Sequence, residues 1–136
     1  MSDPTTDERP PIAAAVIVND GKVLMARRRM KEGQLSWQFP AGEVEPDETP
    51  NDGAVREAEE ETGLSVRVTG DLGKRVHPNT GRTMYYFACE VVSGTAHVGD
   101  AEELAEVAWC DRATLTDYVP YPFFGPVQEH LDANLR

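Results

Sequence analysis

Gly42-Glu43-Val44-Glu45-Pro46-Asp47-Glu48-Thr49-Pro50-Asn51-Asp52-Gly53-Ala54-Val55-Arg56-Glu57-Ala58-Glu59-Glu60-Glu61-Thr62-Gly63-Leu64 reads as a loop followed by a helix with marked ends. Thr49 is a good N-cap, Pro50 suits the first helical position, and Asp52 falls where a capping-box acid belongs. Gly63 suits the left-handed residue that closes a helix. Residues three and four apart share a helix face, so Glu57, Glu60 and Glu61 point the same way. Three neighbouring carboxylates repel one another. A divalent cation reverses that cost, because Mg2+ and Mn2+ favour clustered hard oxygen ligands. Arg56 and Glu60 are spaced to pair, and Glu48 can reach back to Arg56 and clamp loop to helix.

An acidic run is most often a solvated surface. The whole spacing argues for more here. Gly42, five residues, Glu48, seven residues, then Arg56-Glu57-Ala58, Glu60-Glu61, Gly63 and Leu64 resembles the Nudix box. At ordinary residue frequencies a chance match has a probability of roughly one in 10⁹ per start position. Ala58 is smaller than the bulky aliphatic residue usual at its place. The resemblance implies an α/β fold, a Nudix-type α/β/α sandwich around a mixed sheet. It also implies that the backbone carbonyl of Ala41 joins Glu57, Glu60 and Glu61 as a metal ligand, with Gly42, Glu48 and Gly63 as structural residues of the motif.

The chain has 136 residues, which suits one domain. Met1–Pro11 is polar and proline-containing and reads as a short disordered leader, leaving 12–136 as a single domain. It lacks an apolar signal-peptide centre, and no apolar run approaches the length of about 20 residues that spans a bilayer. Two cysteines, Cys89 and Cys110, make neither a disulfide framework nor a zinc site and read as buried small residues in a reducing cytoplasm. A net charge of −11 argues against nucleic-acid or anionic-membrane partners. It is compatible with a nucleotide that enters as a metal complex.

Outside the box, 12–18 is an apolar run suited to a buried strand, Asn19-Asp20-Gly21 signals a hairpin, and 22–29 returns as a second strand. That strand ends in Arg27-Arg28-Arg29, the main basic cluster of the chain. Arg27 and Arg28 are therefore candidates for substrate phosphate, which guanidinium geometry suits. Residues 31–34 read as a loop and 36–40 as an extended piece, with Trp37 and Phe39 on one side; Trp37 is a candidate contact for a bound base. Strands are expected over 64–68, 74–77, 83–92 and 105–110, with Gly70 and Gly73 breaking the pattern between the first two. Residues 78–82 form a turn and 93–104 a loop. Asp111 caps a short helix, and a last helix over 127–135 has Val127, Leu131 and Leu135 on one stripe. His77, His97 and His130 are too scattered for a metal set.

The resemblance implies Mg2+- or Mn2+-dependent hydrolysis of a nucleoside diphosphate derivative. In this reading Glu57, Glu60 and Glu61 bind the ion, and Arg56 orients them. The base that activates water is either Glu57 or an acid of the loop before the late strand, Glu103 ahead of Glu102. Short chains with Trp-Gln-Phe-Pro before the box resemble nucleoside triphosphate pyrophosphohydrolases, including those acting on oxidised nucleotides. Pro78, fifteen residues after Gly63, is instead a marker associated with ADP-ribose hydrolases. A nucleotide-sensing module without catalysis is the reading from another class, and such domains typically lose box glutamates. The family is often dimeric, which makes a homodimer compatible with the resemblance.

Overall fold

A computed structural model describes residues 9–29, 35–78 and 80–136, the side chain of Leu35 excepted. The elements are β1 (Ile12–Asn19), β2 (Lys22–Arg29), β3 (Leu35–Gln38), β4 (Ala41–Glu43), α1 (Pro50–Thr62), β5 (Ser65–Val76), β6 (Thr83–Ser93), β7 (Leu104–Cys110), α2 (Arg112–Tyr118) and α3 (Gly125–Asn134). The sheet is mixed. β1 runs parallel to β6 and antiparallel to β4, while β5 pairs antiparallel with β6. β2 pairs antiparallel with β3 and β7, and the β1–β2 hairpin joins the two halves. Asp20 and Gly21 at its tip have φ of 52° and 75°, the positive pair that matches a tight hairpin to strand twist.

Successive residues of β1 face opposite layers. Ala13, Ala15 and Ile17 share a core with Ala54 and Ala58 of α1. Ala14 and Val16 share the other core with Leu115 of α2 and with Val127 and Leu131 of α3. A strand covered on both faces needs an unbroken apolar run, which is what 12–18 supplies. The result is α1, sheet, then α2 with α3: the α/β/α sandwich expected. Cys89 and Cys110 are both buried free thiols, one in each core.

Several boundaries differ from expectation, among them the start of the box, read as loop, where Ala41–Glu43 pairs with β1 as β4. Gly70 and Gly73 do not end β5; it continues to Val76 with register shifts at Val68/Gly70 and Asp71/Lys74. Glycine lets the backbone bulge while the strand keeps its partner β6. Helix α3 starts at Gly125, with Pro126 in its first turn, and its stripe of Val127, Leu131 and Leu135 is buried. The loop expected at 31–34 lies outside the described residues, as do residues 1–8 of the leader. The last three residues of that segment are tied down. Arg9 donates to the Thr80 carbonyl, Pro10 O accepts from Arg82, and Pro11 O accepts from Val44 N. Among the described residues, no helix is long and apolar enough to cross a membrane.

Helix α1 meets the sheet through small residues: Gly53, Ala54 and Ala58 are its buried non-polar positions. A Cβ on Gly53 would lie 3.1 Å from Glu48 Oε1 and 3.6 Å from the Ala13 Cβ. The alanine at 58 therefore matches the alanines of β1. Ala58→Leu, which restores the bulkier residue usual in the motif, should overpack this contact and cost about 1–3 kcal/mol, read as a lower urea midpoint at unchanged slope.

Candidate active site

The caps of α1 form as its sequence requires. Thr49 Oγ1 accepts from Asp52 N at 3.2 Å, and Gly63 closes the helix at φ 76°. Thirteen residues then carry Arg56, Glu57, Glu60 and Glu61 past β4. Arg56 is the hub of one network. Its Nε and Nη2 donate to the two Glu48 oxygens at 2.7 and 2.8 Å, a bidentate clamp. Its Nη1 donates to Glu57 Oε1 at 2.9 Å and Glu60 Oε2 at 3.1 Å, and its Nη2 also reaches the Glu43 carbonyl at 3.1 Å. The expected Glu48–Arg56 clamp and Arg56–Glu60 pair are both present. The guanidinium holds the Glu48 carboxyl down to about 2.

Glu57 and Glu61 face the sheet, with side chains 14% and 4% exposed, whereas Glu60 stands at the solvent edge at 57%. Glu57 lies against Gly42: a Cβ there would sit 2.2 Å from the Glu57 carboxyl carbon. That is why the motif's first position is glycine. Glu61 Oε1 accepts from Ala41 N at 2.9 Å. Burial pushes both carboxyls above their ordinary range, against the pull of Arg56 on Glu57 and of Arg28 on Glu61.

Arg28 and Arg27 part company. Alternate residues of β2 face opposite layers. Arg28 points to α1, where Nη2 donates to the Glu61 oxygens at 2.9 and 2.5 Å and to the Ala41 carbonyl at 2.9 Å. Its Nη1 donates to Glu103 Oε2 at 3.0 Å. Arg27 turns to the other face, pairing with Glu106 at 2.7 Å, its guanidinium 5.9 Å from the Trp37 ring. Trp37 is half-buried and packs edge-on against Tyr118 at 4.6 Å. Of the three candidate substrate contacts, only Arg28 joins the box glutamates.

Glu103 reaches the cluster because its loop is docked on the end of α1. His97 N donates to the Thr62 carbonyl and Gly99 N to the Glu61 carbonyl, at 2.9 and 2.8 Å. These are terminal carbonyls that a helix leaves unpaired. A Cβ on Gly99 would lie 2.4 Å from the Glu60 carbonyl oxygen, so only glycine permits the approach. Asp100 then turns the chain, its Oδ1 accepting from Glu102 N at 3.1 Å. β7 carries an extra residue against β2, with Arg27 opposite Glu106 but Arg28 opposite Leu104. This bulge at Ala105 aligns Glu103 with Arg28; both loop acids are exposed to solvent, and Glu103 is the one paired with Arg28. Gly99 and the bulge were not identified as site residues from sequence. A glycine within an acidic loop is the signal for the first; the bulge has no local signal.

Among the described residues, no three His, Cys, Asp or Glu side chains form a ready-made metal cluster. The glutamates are instead held by Arg56 and Arg28. The donor set still fits a hard divalent cation. Glu61, the Ala41 carbonyl and Glu103 already share one cationic group, Arg28, and every converging acceptor is an oxygen.

Glu48→Gln should lower stability by about 1.5–3 kcal/mol at pH 7. The folded Glu48 carboxyl lies near 2 against an ordinary 4.5. Its contribution is therefore complete above pH 4.5 and lost as pH falls through about 2. Urea unfolding of both proteins should show the gap closing over that window and constant above it.

Comparison with known proteins identifies the family and the fold. The model of the NUDIX domain matches residues 8–129. The CTP pyrophosphohydrolase of Escherichia coli (strain K12) is 32% identical over 121 residues, covering 87% of each chain. The solution structure of the E. coli ORF135 protein superposes with a TM-score of 0.63 at 31% identity, covering 90% of this chain and 86% of that one. A Nudix hydrolase from Nitrosomonas europaea gives a TM-score of 0.77 at 20% identity, over 93% of this chain and 72% of that chain, a likeness of fold. The chain belongs to the Nudix family and is a hydrolase of its pyrophosphohydrolase type.

Proposed function

We propose that the protein hydrolyses nucleoside triphosphates, including oxidised ones, to nucleoside monophosphate and diphosphate, with Mg2+ or Mn2+ as cofactor. The observation that carries this is the convergence of the largely buried Glu57 and Glu61, the Ala41 carbonyl and the solvent-exposed Glu103 beside Arg28. Nudix enzymes generally use divalent cations, and Glu57, Glu61 and the Ala41 carbonyl would hold the ion, with Glu60 at its solvent side. Such an ion supplies Lewis-acid polarisation of the phosphoryl oxygens. Arg56 fixes Glu57 and Glu60 in place. Arg28 binds substrate phosphate. Arg27 and Trp37 lie on the other sheet face, with Glu106 and Tyr118, away from the box glutamates. Glu103 takes the proton of the attacking water, with Glu57 as the competing base and Glu102 as the second loop candidate. The O–H proton passes to the carboxylate, oxygen bonds to the α-phosphorus, and the α–β anhydride breaks to release diphosphate.

Triphosphate is favoured over ADP-ribose by the E. coli relative named for CTP, which is alike over most of both chains. Pro78, the residue that pointed to ADP-ribose, occupies the turn between β5 and β6. Assay of Mg2+-dependent product release over CTP, the other triphosphates, oxidised triphosphates, ADP-ribose, dinucleoside polyphosphates and NADH tests the proposal. A triphosphate should exceed ADP-ribose in kcat/KM by at least tenfold, about 1.4 kcal/mol. The reverse order defeats the substrate class, and tight binding without hydrolysis of any compound makes the protein a sensor. Free buried thiols at Cys89 and Cys110 are compatible with a reducing, cytoplasmic setting.

The base is tested separately. Loss of a general base typically costs about 10²–10⁴ in rate. Glu103→Gln should lose that much kcat and the acid limb of its pH profile while still binding Mg2+. If Glu103→Gln and Glu102→Gln both keep the wild-type profile and Glu57→Gln alone loses the limb, the base is on the helix.

A further inference from the structure

We infer that Arg28 is a resident counter-ion of the cation seat, which a divalent ion must displace, so that ion binding is what frees Arg28 for substrate phosphate. This deepens the reading of Glu61 and the Ala41 carbonyl as ligands and rests on it.

One guanidinium gathers three groups from three separate elements: the Ala41 carbonyl of β4, both oxygens of Glu61 on α1, and Glu103 before β7. The first two are oxygens an ion would need. Glu61 Oε1 already accepts a second hydrogen bond, from Ala41 N, so its remaining capacity is taken by Arg28. A divalent ion roughly 2.0–2.6 Å from these oxygens competes for the lone pairs that take the N–H donors at 2.5 and 2.9 Å and is repelled by the guanidinium charge beside them. Arg28 is released by a competing cation that takes the same oxygens. Its side chain is 18% exposed, and Glu61 is closed off from water, so Arg28 is the charge that makes the buried Glu61 tolerable.

Two consequences follow from competition for one seat. The apparent ion affinity of the free protein is lowered by the fraction of molecules in which Arg28 holds the seat. Ion and nucleotide also become coupled: an ion that ejects Arg28 supplies a free guanidinium for phosphate, and by reciprocity the nucleotide raises ion affinity. Arg27 shares neither property, because it lies on the opposite face with Glu106.

The test is Mn2+ binding to the intact protein, followed by the paramagnetic resonance signal of unbound Mn2+, with and without an α,β-methylene triphosphate. Arg28→Gln should tighten Mn2+ binding without nucleotide by tenfold or more, and Arg27→Gln should leave it within twofold. Arg28→Lys keeps the charge but cannot reach three acceptors with a planar fork, and should tighten Mn2+ by threefold or more. The enhancement of Mn2+ affinity by nucleotide should fall in both Arg28 variants. Unchanged or weaker Mn2+ binding in Arg28→Lys overturns the proposal, even if Arg28→Gln binds more tightly, since that pattern is a general effect of net charge. If Arg28→Gln does not fold, the Lys variant decides alone. Glu61→Gln checks the foundation: Mn2+ binding equal to wild type would show that the ion sits elsewhere, and the ligand assignment itself would fail.

Discussion

Helix α1 approaches β1 and β4 through Gly53, Ala54 and Ala58, residues with almost no side chain to hold the layers apart. That closeness brings the Glu57 carboxyl against Gly42 and the Glu61 carboxyl within hydrogen-bonding reach of the Ala41 amide. Larger side chains at 53, 54 or 58 would hold both acids away from the β4 backbone. The apolar packing of a helix on a strand and the chemistry of the site are therefore one constraint.

Burying two acids on adjacent turns carries an electrostatic cost, visible in the raised protonation range of both. The fold meets it from two directions. Arg56 comes from the same helix and serves Glu48, Glu57 and Glu60 together, so a local sequence spacing suffices. Arg28 comes from the end of β2, thirty-three residues before Glu61, and is brought there by the sheet. A chain of net charge −11 thus places two of its few cations among its most crowded carboxylates.

The loop between β6 and β7 ties the second half of the chain to this centre. Its amides at 97 and 99 complete the end of α1, so the loop that bears Glu103 is hydrogen-bonded to the helix that bears Glu61. Asp100 and the bulge at Ala105 then set the direction of Glu103. Trp37, Phe39, Tyr118 and Phe123 pack on the opposite face with α2 and α3.

The box helix with its caps, the Glu48–Arg56 clamp, the β1–β2 hairpin and the two-faced burial of β1 were legible in the sequence. Each depends on residues close together in the chain, or on an alternation of side chains that a single strand carries. Mixed strands and helices indicated a layered α/β domain, and the resemblance to the Nudix family implied helices on both sides of the sheet. What the sequence left open was the fate of Arg27 and Arg28, of Glu102 and Glu103, and of the stretch from Gly70 to Gly73. A one-residue step along β2 sends neighbouring arginines to opposite faces, and only the pairing of β2 with β3 and β7 says which face holds α1. A bulge of one residue at Ala105 decides which loop acid meets Arg28, and it exists only through the register of β7 against β2. The glycines of β5 look like a break until β6 is beside them to keep the strand paired. Local spacing determined the helix and its acids; the long-range register of the sheet decided which cations and which further acid meet them.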